Sequence, residues 1–230
     1  MKQLAEGAFY HAYNRGYHKQ QIFIDDHDYH TFIYLLRKYL DPDFRETKLL
    51  PNGEAVRISI NKPLYNKVEV HAYCLMPNHF HLLVRQITKD GMPRLINIIN
   101  SQYSSYFNQK YGRSDTIWHG TYKAVIVKSE EQYLHLSRYI HLNPMKIIGV
   151  TPMRIDSLST YPYSSYPVFL GLKKSRWIKQ EDILHYFTSK YNKTAISYKR
   201  FIEGYYGREE KTREKELDFI RDLIIEDEGL

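Results

Sequence analysis

The chain has 230 residues, of which 43% are hydrophobic, and a formal net charge of +7. That length suits one domain of ordinary size or a domain with a substantial tail, and no apolar run is long enough to span a bilayer as a helix. Cys74 is the only cysteine, which excludes an intrachain disulfide framework and leads us to expect a reducing, cytoplasmic location. Residues Met1 to Glu6 lack the apolar segment of a secretion leader. The pI near 9.2, with 22 tyrosines and 10 phenylalanines, suits a polyanion partner, because Lys and Arg displace counterions from phosphates and rings stack on unpaired bases. The same balance also occurs in proteins that bind no nucleic acid.

In chain order, Phe9 to Asn14 reads as a strand ended by Arg15-Gly16. Asp26 to Leu40 reads as a helix capped by Asp25 or Asp26, with Tyr29, Phe32, Leu36 and Tyr39 as its buried stripe. Residues 41–67 are turn-rich, and alternation at Val56, Ile58 and Ile60 predicts a small strand inside this connection. Val68 to Leu75 and His79 to Gln86 form a predicted hairpin around Met76-Pro77-Asn78. Its period of two puts Phe80, Leu82 and Val84 on one face and His79, His81, Leu83 and Arg85 on the other.

Pro93 to Tyr111 is a second amphipathic helix, stopped by Gly112. Tyr122 to Lys128 is another strand. A third helix runs from Glu130 to about Asn143, with Ser129 and Gln132 at capping-box spacing and Pro144 as its breaker. The order is β-α-β-β-α-β followed by a helix. This predicts an α+β, ferredoxin-like antiparallel sheet, a tyrosine-bearing helix and a C-terminal helical extension. We expect residues 1–150 to be the catalytic domain and 151–230 the extension, a loop around Tyr161 to Tyr166 and then helices near Ile183 to Lys190 and Glu214 to Ile225.

Two signals bear on chemistry. His79 and His81 stand at i and i+2 on a strand, so their imidazoles point the same way and could share one divalent cation; a chance pair fits the same spacing. In the third helix His135, Tyr139 and Asn143 lie at i, i+4 and i+8, beside the apolar stripe of Tyr133, Leu136 and Ile140. Among so many tyrosines, helical spacing does not single out Tyr139. A tyrosine hydroxyl can attack phosphorus covalently, and a cation held by neutral ligands can polarise a phosphate, so the two signals are chemically compatible.

The run Tyr73-Cys74-Leu75-Met76-Pro77-Asn78-His79-Phe80-His81-Leu82-Leu83-Val84 closely resembles the signature of the HUH single-tyrosine transposases, particularly the REP-associated tyrosine transposases. Arg138-Tyr139-Ile140-His141-Leu142-Asn143-Pro144 resembles their nucleophile helix. His11 to Gly16, Trp118 to Lys123 and Tyr163 to Tyr166 resemble further blocks in the family's order. Together these cover roughly the first 170 residues. The connection over 41–67 is longer than the family's usual one, and the segment from Trp177 onward has no counterpart.

The resemblance implies a transposase-type endonuclease that cleaves and joins single-stranded DNA through a 5′-phosphotyrosine. Tyr139 would be the nucleophile; His79, His81 and Asn143 would hold magnesium or manganese. Single-stranded or hairpin DNA is the implied partner, with no membrane. A homodimer in which one subunit's tyrosine helix serves the other's histidines stays open. Asn14, Arg15, Arg85, Trp118 and Lys123 are candidate DNA contacts, each also compatible with a surface charge or a core position, and Lys128 is weighed in the same way. His71 and His119 read as structural or surface groups. A replication-initiator or relaxase-like nickase, or a relative that binds nucleic acid without catalysis, remain the alternatives.

Overall fold

The computed structural model describes residues 4–60, 63–146, 155–188 and 194–224. Four strands form the main sheet: β1 (Phe9–Arg15), β4 (Val68–Met76), β5 (His79–Gln86) and β6 (Lys123–Val127). Their spatial order is β4-β5-β1-β6, and every pairing is antiparallel. Counting only these four strands, the order across the sheet is second, third, first, fourth. That is the ferredoxin-like arrangement, so the α+β fold class expected from the element order holds. β2 (Arg45–Leu49) and β3 (Ala55–Ser59) form a separate two-stranded hairpin inside the long 41–67 connection.

Helices α1 (Asp26–Leu40) and α2 (Gly91–Tyr111) cover one face of the sheet. Asp25 caps α1 in a full capping box with Asp28, and Gly112 ends α2 in the left-handed region at φ 60°. The even residues of β5 face these helices: Phe80 packs on Phe32 of α1 with ring centroids 5.1 Å apart. The odd residues face α3 (Glu130–Leu142), which lies across the opposite face. Ser129 caps α3 by accepting from the Gln132 N–H at 3.1 Å. The return bond runs from the Lys128 N–H to Gln132 Oε1 at 2.7 Å, one residue earlier than a capping box requires.

The C-terminal part does not stand apart from this core. Beyond the short helix α4 (Tyr166–Phe169), the chain continues through α5 (Gln180–Leu184), α6 (Thr194–Glu203), α7 (Glu210–Asp218) and α8 (Arg221–Ile224). Before α4, the Leu75 N–H donates to Tyr163 O and the Ser165 N–H to Tyr73 O; later, the Lys179 N–H donates to Val70 O. These bonds occupy the outer side of β4, the edge strand, which would otherwise present unpaired backbone groups. The expected boundary near residue 150 lies outside the described residues, as do Lys190 and Ile225 at the ends of two expected helices. Among the described residues no helix is long and apolar enough to cross a membrane.

Candidate functional site

The turn between β4 and β5 is tightly braced. The Pro77 carbonyl accepts from the N–H groups of Ile22 and Phe23 at 2.9 and 3.0 Å, and the Asn78 carbonyl from the Gly16 N–H at 2.7 Å. Glycine is required at position 16, because a Cβ there would lie 2.1 Å from the Gln20 carbonyl oxygen. This bracing sets the start of β5, and the period-two strand then aims His79 and His81 at α3.

His79 and His81 stand with ring centroids 4.8 Å apart. The Tyr139 ring is edge-on to His81 at 5.6 Å, and the Lys146 ammonium lies 4.4 Å from the centre of the Tyr139 ring. The histidine pair and the tyrosine therefore meet within a single chain. All three are buried, and His81 is fully so. Burial, reinforced by the charges of His11 and Lys146, holds the His81 pKa well below that of an ordinary imidazole. The ring is accordingly neutral at physiological pH, the form in which an imidazole ligates a metal.

Asn143 keeps right-handed helical angles, φ −52° and ψ −38°, although a proline follows it. Pro144 lacks an N–H, and the chain passes into a 3-10 turn over Asn143–Lys146. Asn143 is buried, and its Nδ2 donates to the Tyr139 carbonyl at 2.9 Å. That bond fixes the amide one turn beyond the tyrosine.

A cavity of about 240 Å³ opens beside Tyr139, between α3 and the C-terminal helices, with Lys146, Arg138, Tyr206 and Arg213 among its lining residues. Its walls were not legible in the sequence, because half of them come from the segment after Trp177. A larger cavity of about 760 Å³ lies at the opposite end of α3, lined by Phe9, Arg85, Tyr133, Asp182 and Tyr186.

The other expected DNA contacts are scattered. Trp118 is a core anchor: it is buried, and its indole N–H donates to Ser104 Oγ at 2.9 Å and to the Asn100 carbonyl at 3.2 Å. Its ring stands edge-on to Phe80 at 5.7 Å. Of the two roles the sequence left open for Trp118, this is the core position. Asn14 is buried, with its Oδ1 accepting from the Arg15 N–H at 2.9 Å. Arg15 pairs in register with His79, and exposed Lys123 begins β6. Arg85 is at the far end of β5, above the Phe9 ring at 5.6 Å and 3.7 Å from Glu69.

His71, read from the sequence as structural or surface, is fully buried and belongs to a cluster that sequence reasoning missed. Glu69, His71 and Asp182 offer ligand atoms within 4.8 Å of one another, a set compatible with a divalent cation. Two features of the cluster oppose that use. Asp182 approaches His71 Nδ1, already bonded to the Tyr133 hydroxyl at 2.7 Å, whereas Glu69 approaches Nε2. His71, Lys179 and Arg85 also hold the Glu69 carboxyl below the ordinary range, so its charge is already balanced.

The family described as "Transposase IS200 like" matches residues 56–143, a span that includes His79, His81, Tyr139 and Asn143. No curated protein matches the chain. Among solved structures, the chain is similar to a REP-associated tyrosine transposase bound to a REP hairpin, at 17% identity and a TM-score of 0.48, over 77% of this chain and 88% of that one. It is also similar to a candidate transposase from Deinococcus radiodurans R1, at 15% identity and a TM-score of 0.37, over 61% of this chain and 95% of that one.

Proposed function

We propose that this protein is a transposase of the REP-associated kind, a metal-dependent endonuclease and strand-transfer enzyme acting on single-stranded or hairpin DNA. The observation that carries the reading is the approach of Tyr139 to His81 at 5.6 Å between ring centres, with His79 alongside, inside the segment 56–143 that matches a transposase family. Tyr139 Oη attacks the scissile phosphorus and releases its proton to solvent, which in turn supplies the proton taken up by the leaving 3′ oxygen. The bond from phosphorus to the 3′ oxygen breaks, and that oxygen leaves as a 3′-hydroxyl. The 5′-phosphate stays on the tyrosine, and attack by another 3′-hydroxyl reverses the chemistry and joins strands without ATP. The ammonium of Lys146, over the Tyr139 ring, favours a developing phenolate.

The donor set of His79, His81 and Asn143 fits a divalent cation such as magnesium or manganese: two imidazoles, one of them held neutral by burial, and an amide on the next helical turn. When bound, such a cation polarises the phosphate and offsets its charge without adding protein negative charge. Residues 1–150 carry this chemistry in our reading, and residues of the extension between Tyr205 and Ile220 help to wall the cavity beside the nucleophile. Arg15 and Lys123, on the strands that meet near the histidines, are the DNA contacts we retain; Asn14 orders the exit of β1 between them.

The test incubates the protein with a labelled single-stranded hairpin and manganese. We expect a cleaved product and a denaturation-resistant adduct, both lost in His79→Ala, His81→Ala and Tyr139→Phe. Cleavage that persists in the histidine variants would overturn the metal site. Binding without an adduct on any substrate would favour a non-catalytic relative.

A further inference from the structure

His11 takes no part in the chemistry proposed above, yet it is fully buried next to it. Its Nδ1 lies 2.8 Å from the carbonyl oxygen of Leu223 in α8, and its Nε2 lies 3.0 Å from Nδ1 of His81. The two ring planes lie within 21° of each other, edge to edge, with centroids 5.2 Å apart. These contacts determine where the hydrogens sit. A carbonyl oxygen can only accept, so His11 Nδ1 carries a hydrogen. A neutral imidazole has one N–H, so His11 Nε2 must accept, and the donor facing it is His81 Nδ1–H. A neutral His81 with hydrogen on Nδ1 has its lone pair on Nε2. The opposite arrangement needs a charged His11 donating from both nitrogens, which places a full charge in a fully buried ring.

We infer that His11 is a positioning residue: through it, the Leu223 carbonyl selects the His81 tautomer whose Nε2 can ligate a metal. The inference rests on the metal-centred reading above. It assigns a role to β1 and α8 that neither the histidine pair nor the tyrosine helix reveals. A metal-binding histidine needs its second nitrogen held by a partner that fixes both ring orientation and tautomer. Here the partner is another imidazole, itself oriented by backbone from the far end of the chain. The C-terminal helices would thus complete the site rather than merely shelter it.

Two measurements test this. Long-range nitrogen–proton NMR spectra of histidine-labelled, metal-free protein should show His81 protonated on Nδ1; protonation on Nε2 overturns the inference. Manganese affinity, read by titration calorimetry, should fall about 10- to 100-fold in His11→Leu, which has no acceptor for His81. His11→Gln, whose amide oxygen can accept from His81, should recover most of that loss. Equal affinity in wild type and His11→Leu overturns the inference. Should His11→Leu fail to fold, the wild-type spectrum and the Gln variant still decide the question. Wild-type protein that binds no manganese would sink the metal-centred reading, while the tautomer spectrum would still report on His11 separately.

Discussion

Arg138, the residue before Tyr139, forms a 3.0 Å ion pair with Glu216 of α7. Its guanidinium is also sandwiched between the rings of Phe201 and Tyr205, 4.6 Å from each. The pair is largely buried, and Glu216 also pairs with Arg208, so removing Arg138 leaves that carboxylate with one cationic partner. Arg138→Ala should lower stability by about 1.5–3 kcal/mol, the worth of a hydrogen bond to a charged group. Urea denaturation checks the magnitude, and limited proteolysis should show the C-terminal helices becoming susceptible first. A loss below about 1 kcal/mol would mean that the pair behaves as a solvated surface bridge.

The same guanidinium sets a pH dependence. Arg138 donates to His135 Nδ1 at 2.6 Å, and arginine has no acceptor, so His135 must be neutral there. Burial first, then the Arg138 charge, lowers the His135 pKa from 6.5 to about 4. The unfolded chain binds this proton near pH 6.5 and the folded chain only near 4, so the contribution is complete above 6.5 and lost as pH falls toward 4. The ceiling is roughly 1.4 kcal/mol per pH unit, and partial exposure of the ring reduces the total to about 1 kcal/mol. His135→Gln keeps an acceptor but does not titrate, so its urea midpoint should fall less than that of wild type between neutral and mildly acidic pH. Parallel curves would contradict the assignment.

Trp118 separates a core role from a base-stacking role. Trp118→Phe removes the indole bonds to Ser104 and Asn100 and some core volume. Stability should fall by about 1–2 kcal/mol, while single-stranded DNA affinity, measured by anisotropy on folded protein, stays within about twofold of wild type. A drop in affinity at unchanged stability would restore the stacking role.

Much of this was legible before the structure because β5 alternates so plainly. Phe80, Leu82 and Val84 could only face a core, which left His79 and His81 on the other side. The hairpin inside the long connection was half legible. Val56 and Ile58 alternate, but their partner strand, Arg45 to Leu49, is almost entirely polar and gives no such signal. The segment Tyr161 to Tyr166 read as a loop because its bonds to β4 follow no strand period: the Tyr161 and Ser165 hydroxyls and the backbone of Tyr163 and Ser165 all pair with the edge strand. Tyr139 was one tyrosine among many by spacing, and only its approach to His81 distinguishes it physically. The role of His11 could not be read, since its partner carbonyl comes from α8, 212 positions away.

The central claim is that Tyr139 is the atom-for-atom site of covalent attachment to DNA. Trypsin should release a peptide from Tyr139 to Lys146, in which Tyr139 is the only tyrosine. Mass spectrometry of the manganese-dependent protein–DNA adduct, after nuclease trimming, should place the nucleotide mass on this peptide, and the adduct should be absent from Tyr139→Phe. A nucleotide mass on any other tyrosine peptide, or an undiminished adduct in Tyr139→Phe, would contradict the account.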